Sequence, residues 1–274
     1  MAVPPHLHPF VLDVVPAHRR RLGAIEIHTA DPSARDRRPA VVFVHGGPVP
    51  ARMEPTPRDW PTFLGYGALA AAHGLVGVTV DHGLHGLGDY PVAARNVRSA
   101  VEQARAVDGV DPDRVGLWFF SGGGPLAAGW LAAAPPWLRC VALSYPFLSV
   151  PPGLEGAGFD AVGAVAAPGP PPILLTRVGA EFPVAVPGQH AFVDAARAHG
   201  AALEVIDVPN GQHGFDNLDH TDESRAAVTR AMTWVAAQLH RTSGDGTTSA
   251  DGTTSADGTT SADGTTSADR TDGA

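Results

Sequence analysis

The chain has 274 residues, 44% of them hydrophobic, and a formal net charge of −9. That length allows one large domain or two small ones around a sizeable core, and the mild acidity leaves no basic footprint for nucleic acid and no basic stripe for a membrane surface. All 19 basic residues are arginine and Cys140 is the single cysteine, which excludes lysine-dependent phosphate loops, pyridoxal Schiff bases, intramolecular disulfides and multi-cysteine metal sites.

The N-terminal "MAVPPHLHPF" lacks the charged start and long apolar run of a secretory signal. No segment approaches the ~18 apolar residues of a membrane span. A soluble, cytoplasmic protein is therefore expected. "FVLDVV" (10–15) and "LGAIEIHT" (22–29) read as amphipathic strands with one wet face. "AVVFVH" (40–45) is short, continuous and β-branched, as suits a central strand covered on both sides.

A short helix is predicted over 68–73, then a buried strand at "LVGVTV" (75–80). Asp89 and Pro91 open a helix whose inner stripe is Val97, Val101 and Ala104. "VDPDR" (110–114) turns into the buried strand "VGLWFF", followed by a helix over 122–133 with Pro125 in its first turn. "CVALSY" is a strand that buries Cys140 as an inert core thiol. Residues 146–171 are rich in Pro, Gly and Ala without a clean period; with the preceding pair they form an excursion, 144–171, that can cover a site.

"ILLT" (173–176), a helix over 188–199, and "LEVIDV" (203–208) follow, and Val228, Met232, Val235 and Leu239 mark a last helix. "DGTTSA" then occurs four times between 245 and 268. A repeat without large apolar residues cannot offset the entropy of ordering, so 243–274 is predicted to be a disordered tail behind a domain at 1–242.

Strands and helices alternate, which predicts an α/β fold: a mostly parallel sheet with helices on both faces. Ligands on such sheets bind beyond the carboxyl ends of the strands. Four loops stand there: "HGGP" (45–48), "SGGG" (121–124), Ala180-Glu181 after "ILLTRVG", and "PNGQHGFD" (209–216). In chain order they supply a glycine-rich loop, a serine, an acid and a histidine. A serine hydroxyl needs a base within hydrogen-bond reach. His213 can take its proton and return it, and a carboxylate on the other ring nitrogen would fix the tautomer. Gly122 N–H, at a helix start, and Gly47 N–H can hold an oxyanion.

In "HGGP", "VDPDRVGLWFFSGGG", "ILLTRVGAEF" and "GQHGF", taken in order, the chain resembles the α/β-hydrolase superfamily, in its esterase, lipase and dienelactone-hydrolase-like branch. The resemblance spans about residues 10–240. It implies a nucleophile elbow at Ser121, an acid at Glu181, a base at His213 and an oxyanion hole at Gly47 and Gly122, with no cofactor or metal. One position departs from the pattern: Phe119 replaces the first glycine of Gly-x-Ser-x-Gly.

The expected function is hydrolysis of a small-molecule carboxylic ester of a small or medium acyl group, with neither nucleic acid nor membrane as partner. Phe120, Trp60 and Phe147 are expected to line the substrate pocket. Three alternatives stay open. One is a peptidase or lactone hydrolase on the same triad. The second is a non-catalytic binding protein, which Phe119 favours and in which Ser121 is only a helix cap. The third is a metal-dependent hydrolase using Asp81, His82, His85 and Asp89. Asp160, Asp194 and Asp207 compete with Glu181 for the acid. His45 is assigned a structural role, bonding loop backbone.

Overall fold

Alternation along the strands sorts the core into two layers. The computed structural model describes residues 3–241, so the 243–274 repeat lies outside the described residues. The strands are β1 (His18–Leu22), β2 (Ile25–Thr29), β3 (Arg38–Val44), β4 (Val76–Val80), β5 (Val110–Phe120), β6 (Leu138–Ser144), β7 (Ile173–Ala180) and β8 (Leu203–Gln212). They form one 8-stranded sheet in the order β1-β2-β4-β3-β5-β6-β7-β8. β1, β2 and β4 pair antiparallel, and every pairing from β4 through β3 to β8 is parallel.

Because successive side chains point to opposite faces, Val42, Val44, Leu117 and Phe119 enter one core layer, while Val41, Phe43, Trp118 and Phe120 enter the other. α2 (Tyr90–Arg105), α3 (Ala128–Ala132), α4 (Ala161–Ala164) and α5 (Val186–Ala198) cover the first face. α1 (Pro61–Ala72) and α7 (Asp222–His240) cover the second; the short α6 (Phe215–Leu218) leads into α7. The chain runs from β3 to β4 on one side of β3 and then crosses to β5 on its other side. Such a reversal opens a crevice between the loops that follow the two strands. Among the described residues no helix is long and apolar enough to cross a membrane.

Several expectations change. "FVLDVV" forms no strand. Phe10 and Val11 instead plug the second core layer, and the Phe10 ring lies against Gly65, where any β-carbon would collide with it. The first strand is the charged "HRRRL" of β1. β2 is buried on both faces rather than half wet. Its Glu26 is tolerated there because Arg19 Nε and Arg21 Nη2 reach it at 2.9 and 2.5 Å, and both arginines also bind Asp59.

α1 starts at Pro61, seven residues before the predicted helix. Its glycines conceal the apolar period but serve packing: a β-carbon on Gly67 would stand 2.5 Å from His28 Cγ, and one on Gly77 2.8 Å from Gly67 O. The predicted 122–133 helix is a 3-10 turn over Ser121–Ala127 followed by the single α-turn of α3. Pro125 is the reason, since it has no N–H to give the carbonyl four residues back. β5 begins at Val110, so "VDPDR" belongs to the strand, with register shifts on both sides of it. The 144–171 excursion contributes Leu148, Phe159, Ala161 and Val165 to the first core layer.

Candidate active site

The crevice is built on glycine. At the end of β5 the backbone of Ser121 takes φ +50°, a left-handed conformation unusual for a residue with a β-carbon. It turns the chain from strand to helix within one residue and lifts the hydroxyl above the sheet. Pro125 cannot give the Ser121 carbonyl the bond an α-helix would supply, and Phe147 N–H donates to that carbonyl at 3.0 Å. The Gly122 carbonyl accepts from the Tyr90 hydroxyl at 2.7 Å.

The loop after β3 presses directly on this turn. A β-carbon on Gly46 would lie 2.8 Å from Ser121 Cβ, one on Gly123 2.7 Å from His45 O, and one on Gly122 would overlap the Gly47 carbonyl. Gly47 N stands 3.1 Å from that same hypothetical Gly122 β-carbon, so the two backbones touch. Gly122 is also in the first turn of its helix, where an N–H has no intrahelical acceptor.

The acid and base arrive from the adjoining strands. Glu181 follows β7 and His213 follows β8. His213 Nδ1–H donates to Glu181 Oε1 at 2.7 Å, and Ser121 Oγ–H donates to His213 Nε2 at 2.7 Å. Glu181 also accepts from its neighbour Phe182 N–H at 2.8 Å and from Gln189 Nε2 at 2.9 Å. Burial pushes the Glu181 carboxyl up, but the bond to His213, the charge it carries and these two donors outweigh burial and hold it below the ordinary carboxylate value. The arrangement can move a proton from hydroxyl to imidazole with the resulting cation held by a carboxylate. The competing acids lie elsewhere: Asp160 caps α4, Asp194 is exposed on α5, and Asp207 pairs with Arg177.

His45 Nδ1 reaches the Gly46 carbonyl at 2.5 Å. Its ring stacks on His82 with centroids 3.7 Å apart, and His82 Nε2–H donates to the His45 carbonyl at 2.9 Å. Burial drives the His82 pKa down to about 4, and burial with the neighbouring His82 drives His45 well below the ordinary value. His85 bonds Val49 O at 2.8 Å, while Asp81 pairs with Arg58 at 2.8 Å. The histidines of the alternative metal site, His82 and His85, therefore brace the loop after β3, and Asp81 pairs with Arg58.

Of the three pocket residues, Phe147 stands at the site, its ring 5.5 Å from that of His213. Trp60 lies farther out, 6.4 Å from the His45 ring, with its indole N–H donating to Pro55 O. Phe120 is 1% exposed and packs edge-on against Phe63 and Tyr66, so it supports the site from below instead of lining it. Phe119 is fully buried on the opposite face of β5, within the layer covered by α2. It fills core volume on the side away from Phe120 and the Ser121–His213 bond stays intact.

Sequence reasoning missed four residues around the Glu181–His213 pair. Phe182 is 52% exposed with its ring 4.6 Å from the imidazole; an aromatic next to the acid was its only signal. Gln189 is the donor to Glu181. Tyr145, at φ +39°, packs edge-to-face with the imidazole, ring centroids 4.8 Å apart. Asp216, fully buried, accepts from the hydroxyls of Tyr145 and Tyr66 at 2.8 and 2.9 Å.

No family model matches the sequence, and no curated protein matches it. Solved structures do match its shape. EstE1, a thermophilic and thermostable carboxylesterase cloned from a metagenomic library, is 20% identical over 84% of this chain and 92% of its own, with a TM-score of 0.68. Carboxyl esterase 2 of the mycorrhizal fungus Tuber melanosporum is 18% identical over 79% and 83%, with a TM-score of 0.61. The thermophilic esterase Est2 of Thermogutta terrifontis is 20% identical over 81% and 92%, with a TM-score of 0.58. The strand order, the helices on both faces and these likenesses establish that the chain has the α/β-hydrolase fold, in the form these carboxylesterases carry.

Proposed function

We propose that the chain is a serine hydrolase that cleaves a carboxylic ester of a small or medium acyl group. The observation that carries this reading is the unbroken path from Ser121 Oγ to His213 Nε2 and from His213 Nδ1 to Glu181 Oε1, each step 2.7 Å. Ser121 Oγ attacks the ester carbonyl as His213 takes its proton, and Glu181 stabilises the imidazolium. Gly47 and Gly122 N–H groups receive the tetrahedral oxyanion. His213 then protonates the departing alkoxide, and water, deprotonated by the same imidazole, hydrolyses the acyl-enzyme and restores Ser121. No cofactor enters the scheme.

The neighbours add support for the acyl size. Est2 is described with propionate and with butyrate bound, and phosphorylated by paraoxon. In this chain the partly exposed rings of Phe147 and Phe182 flank His213 and offer an apolar surface to such a group. The test is turnover of a short-to-long series of p-nitrophenyl esters together with labelling by a fluorophosphonate. Turnover greatest on short acyl chains and label on Ser121, both lost in Ser121→Ala, are expected. A folded protein that neither turns over these esters nor takes the label refutes the reading and leaves the binding-protein alternative.

A further inference from the structure

Asp216 is a buried carboxylate that the reaction scheme leaves unused. It lies three residues past His213, at 0% exposure, with no arginine among the described residues bonded to it. An isolated carboxylate in such a place is costly unless its oxygens are satisfied. Here Tyr66, from α1, donates to Oδ2, and Tyr145, just beyond β6, donates to both oxygens. Tyr66 is bonded in turn by Ser144, whose hydroxyl accepts from the Trp118 indole at 2.9 Å. The turn itself is tied down: Val11 N–H donates to the Asp216 carbonyl and Asn217 Nδ2 to Pro5 O.

Resting on the ester-hydrolase reading, we propose that Asp216 is a positioning residue for the base. Through Tyr145 it fixes the ring of His213, and its charge favours the imidazolium that forms when Ser121 gives up its proton. The geometry gives both parts. The Tyr145 ring meets the imidazole edge-on at 4.8 Å while its hydroxyl is held by Asp216, so the aromatic wall behind the base cannot swing away without breaking a buried bond. The carboxylate shares the turn of His213 in dry surroundings, where charges are poorly screened.

The groups facing Asp216 are Tyr66 from α1, Tyr145 beyond β6 and His213 beyond β8; Glu181 beyond β7 acts in turn on Tyr145. Only His213 among them becomes a cation. Burial pushes the Asp216 carboxyl up to about 6 against the opposing pull of the two tyrosines, so its charge is present at neutral pH and fades in mild acid.

The test uses the full chain and the variant Asp216→Asn, which keeps an acceptor oxygen and removes the charge. With p-nitrophenyl acetate, kcat should fall about tenfold with KM within twofold, and the acid limb of the kcat/KM profile should become shallower and move to lower pH. Tyr145→Phe, which keeps the ring and loses the tether, should give a smaller fall in the same direction. Should Asp216→Asn not fold, Tyr145→Phe and Tyr66→Phe decide, since together they remove both donors singly. Unchanged kcat and an unchanged acid limb in folded variants overturn the proposal.

A readout free of turnover separates this from the activity itself. The downfield proton resonance of the His213–Glu181 hydrogen bond should shift between pH 5 and pH 7 in the wild type and shift less in Asp216→Asn. Identical behaviour in both overturns the proposal. Absence of ester turnover in the wild type refutes only the hydrolase reading.

Discussion

Two carboxylates sit close to His213, and their surroundings drive them in opposite directions. Glu181, in the loop after β7, receives His213 Nδ1–H, the Gln189 amide and Phe182 N–H, and its carboxyl is held below the ordinary value despite burial. Asp216, in the turn after β8, receives the Tyr145 and Tyr66 hydroxyls and its own backbone N–H, and burial wins, raising it to about 6. Depth of burial and donor quality decide together, since Asp216 is fully buried and Glu181 only partly so. An N–H on a group that becomes a cation strengthens as the carboxylate ionises, whereas a neutral phenol offers a fixed and smaller return. Burial alone therefore does not determine which acid can serve a base.

The comparison breaks most clearly at Glu181. Glu181→Gln retains the side-chain shape but not the charge, and kcat/KM for a p-nitrophenyl ester should drop about 10³–10⁴-fold with the melting temperature little changed. A loss of less than tenfold would transfer the acid's role to another residue.

Next is the pH dependence of stability. Because the Asp216 pKa is raised on folding, the folded state holds its proton over a window where the unfolded chain has lost it, from the ordinary 3.8 to about 6. Its contribution is thus most favourable below pH 4 and declines as pH climbs through 6. At ~1.4 kcal/mol per pKa unit the decline is about 3 kcal/mol. Urea unfolding should show the stability of Asp216→Asn, relative to the wild type, improving by about that amount from pH 4 to pH 8. Glu181 carries the opposite sign: its contribution is present at neutral pH and lost as pH falls through the carboxylate range, so the wild-type slope that Glu181→Gln removes should be reversed.

A smaller effect is expected at Gln189. Gln189→Leu deletes one donor to Glu181, so the carboxyl should rise and kcat/KM should fall about tenfold, with the greatest loss at the acid end of the profile. Smallest is Phe182→Ala. The ring covers His213 but is half open to water, so KM for a butyrate ester should rise about two- to fivefold with kcat nearly constant. A kcat effect larger than the KM effect would make Phe182 part of the proton-transfer geometry.

Much of this was legible in the sequence because its causes are local. The β-branched run at 40–44 and the apolar run before Ser121 announce two-sided burial, and glycines at 46, 47, 122 and 123 announce close backbone approach. What stayed hidden depends on distant partners. "HRRRL" shows no apolar alternation, and its place as a strand is seen only once Arg19 and Arg21 are found paired with Glu26 and Asp59. "FVLDVV" alternates like a strand, yet Phe10 finds its place only against Gly65. The 3-10 turn after Ser121 reads in the sequence as the start of a helix, because proline is tolerated in a first turn; Phe147 N–H, which bonds the Ser121 carbonyl, comes from a separate segment. Asp216 and Tyr145 are 71 positions apart, and no pattern in either segment points to the other.

The arginines of β1 have a consequence beyond Glu26. Among the described residues that strand has a neighbour only on its β2 side, so its outward amides and carbonyls offer a template to an extended chain. A second copy docking there antiparallel would bring Arg20 opposite Arg20 and Arg19 opposite Arg21. Like charges facing each other across such a seam repel. The β1 border of the sheet is thereby disfavoured as a seam between two copies.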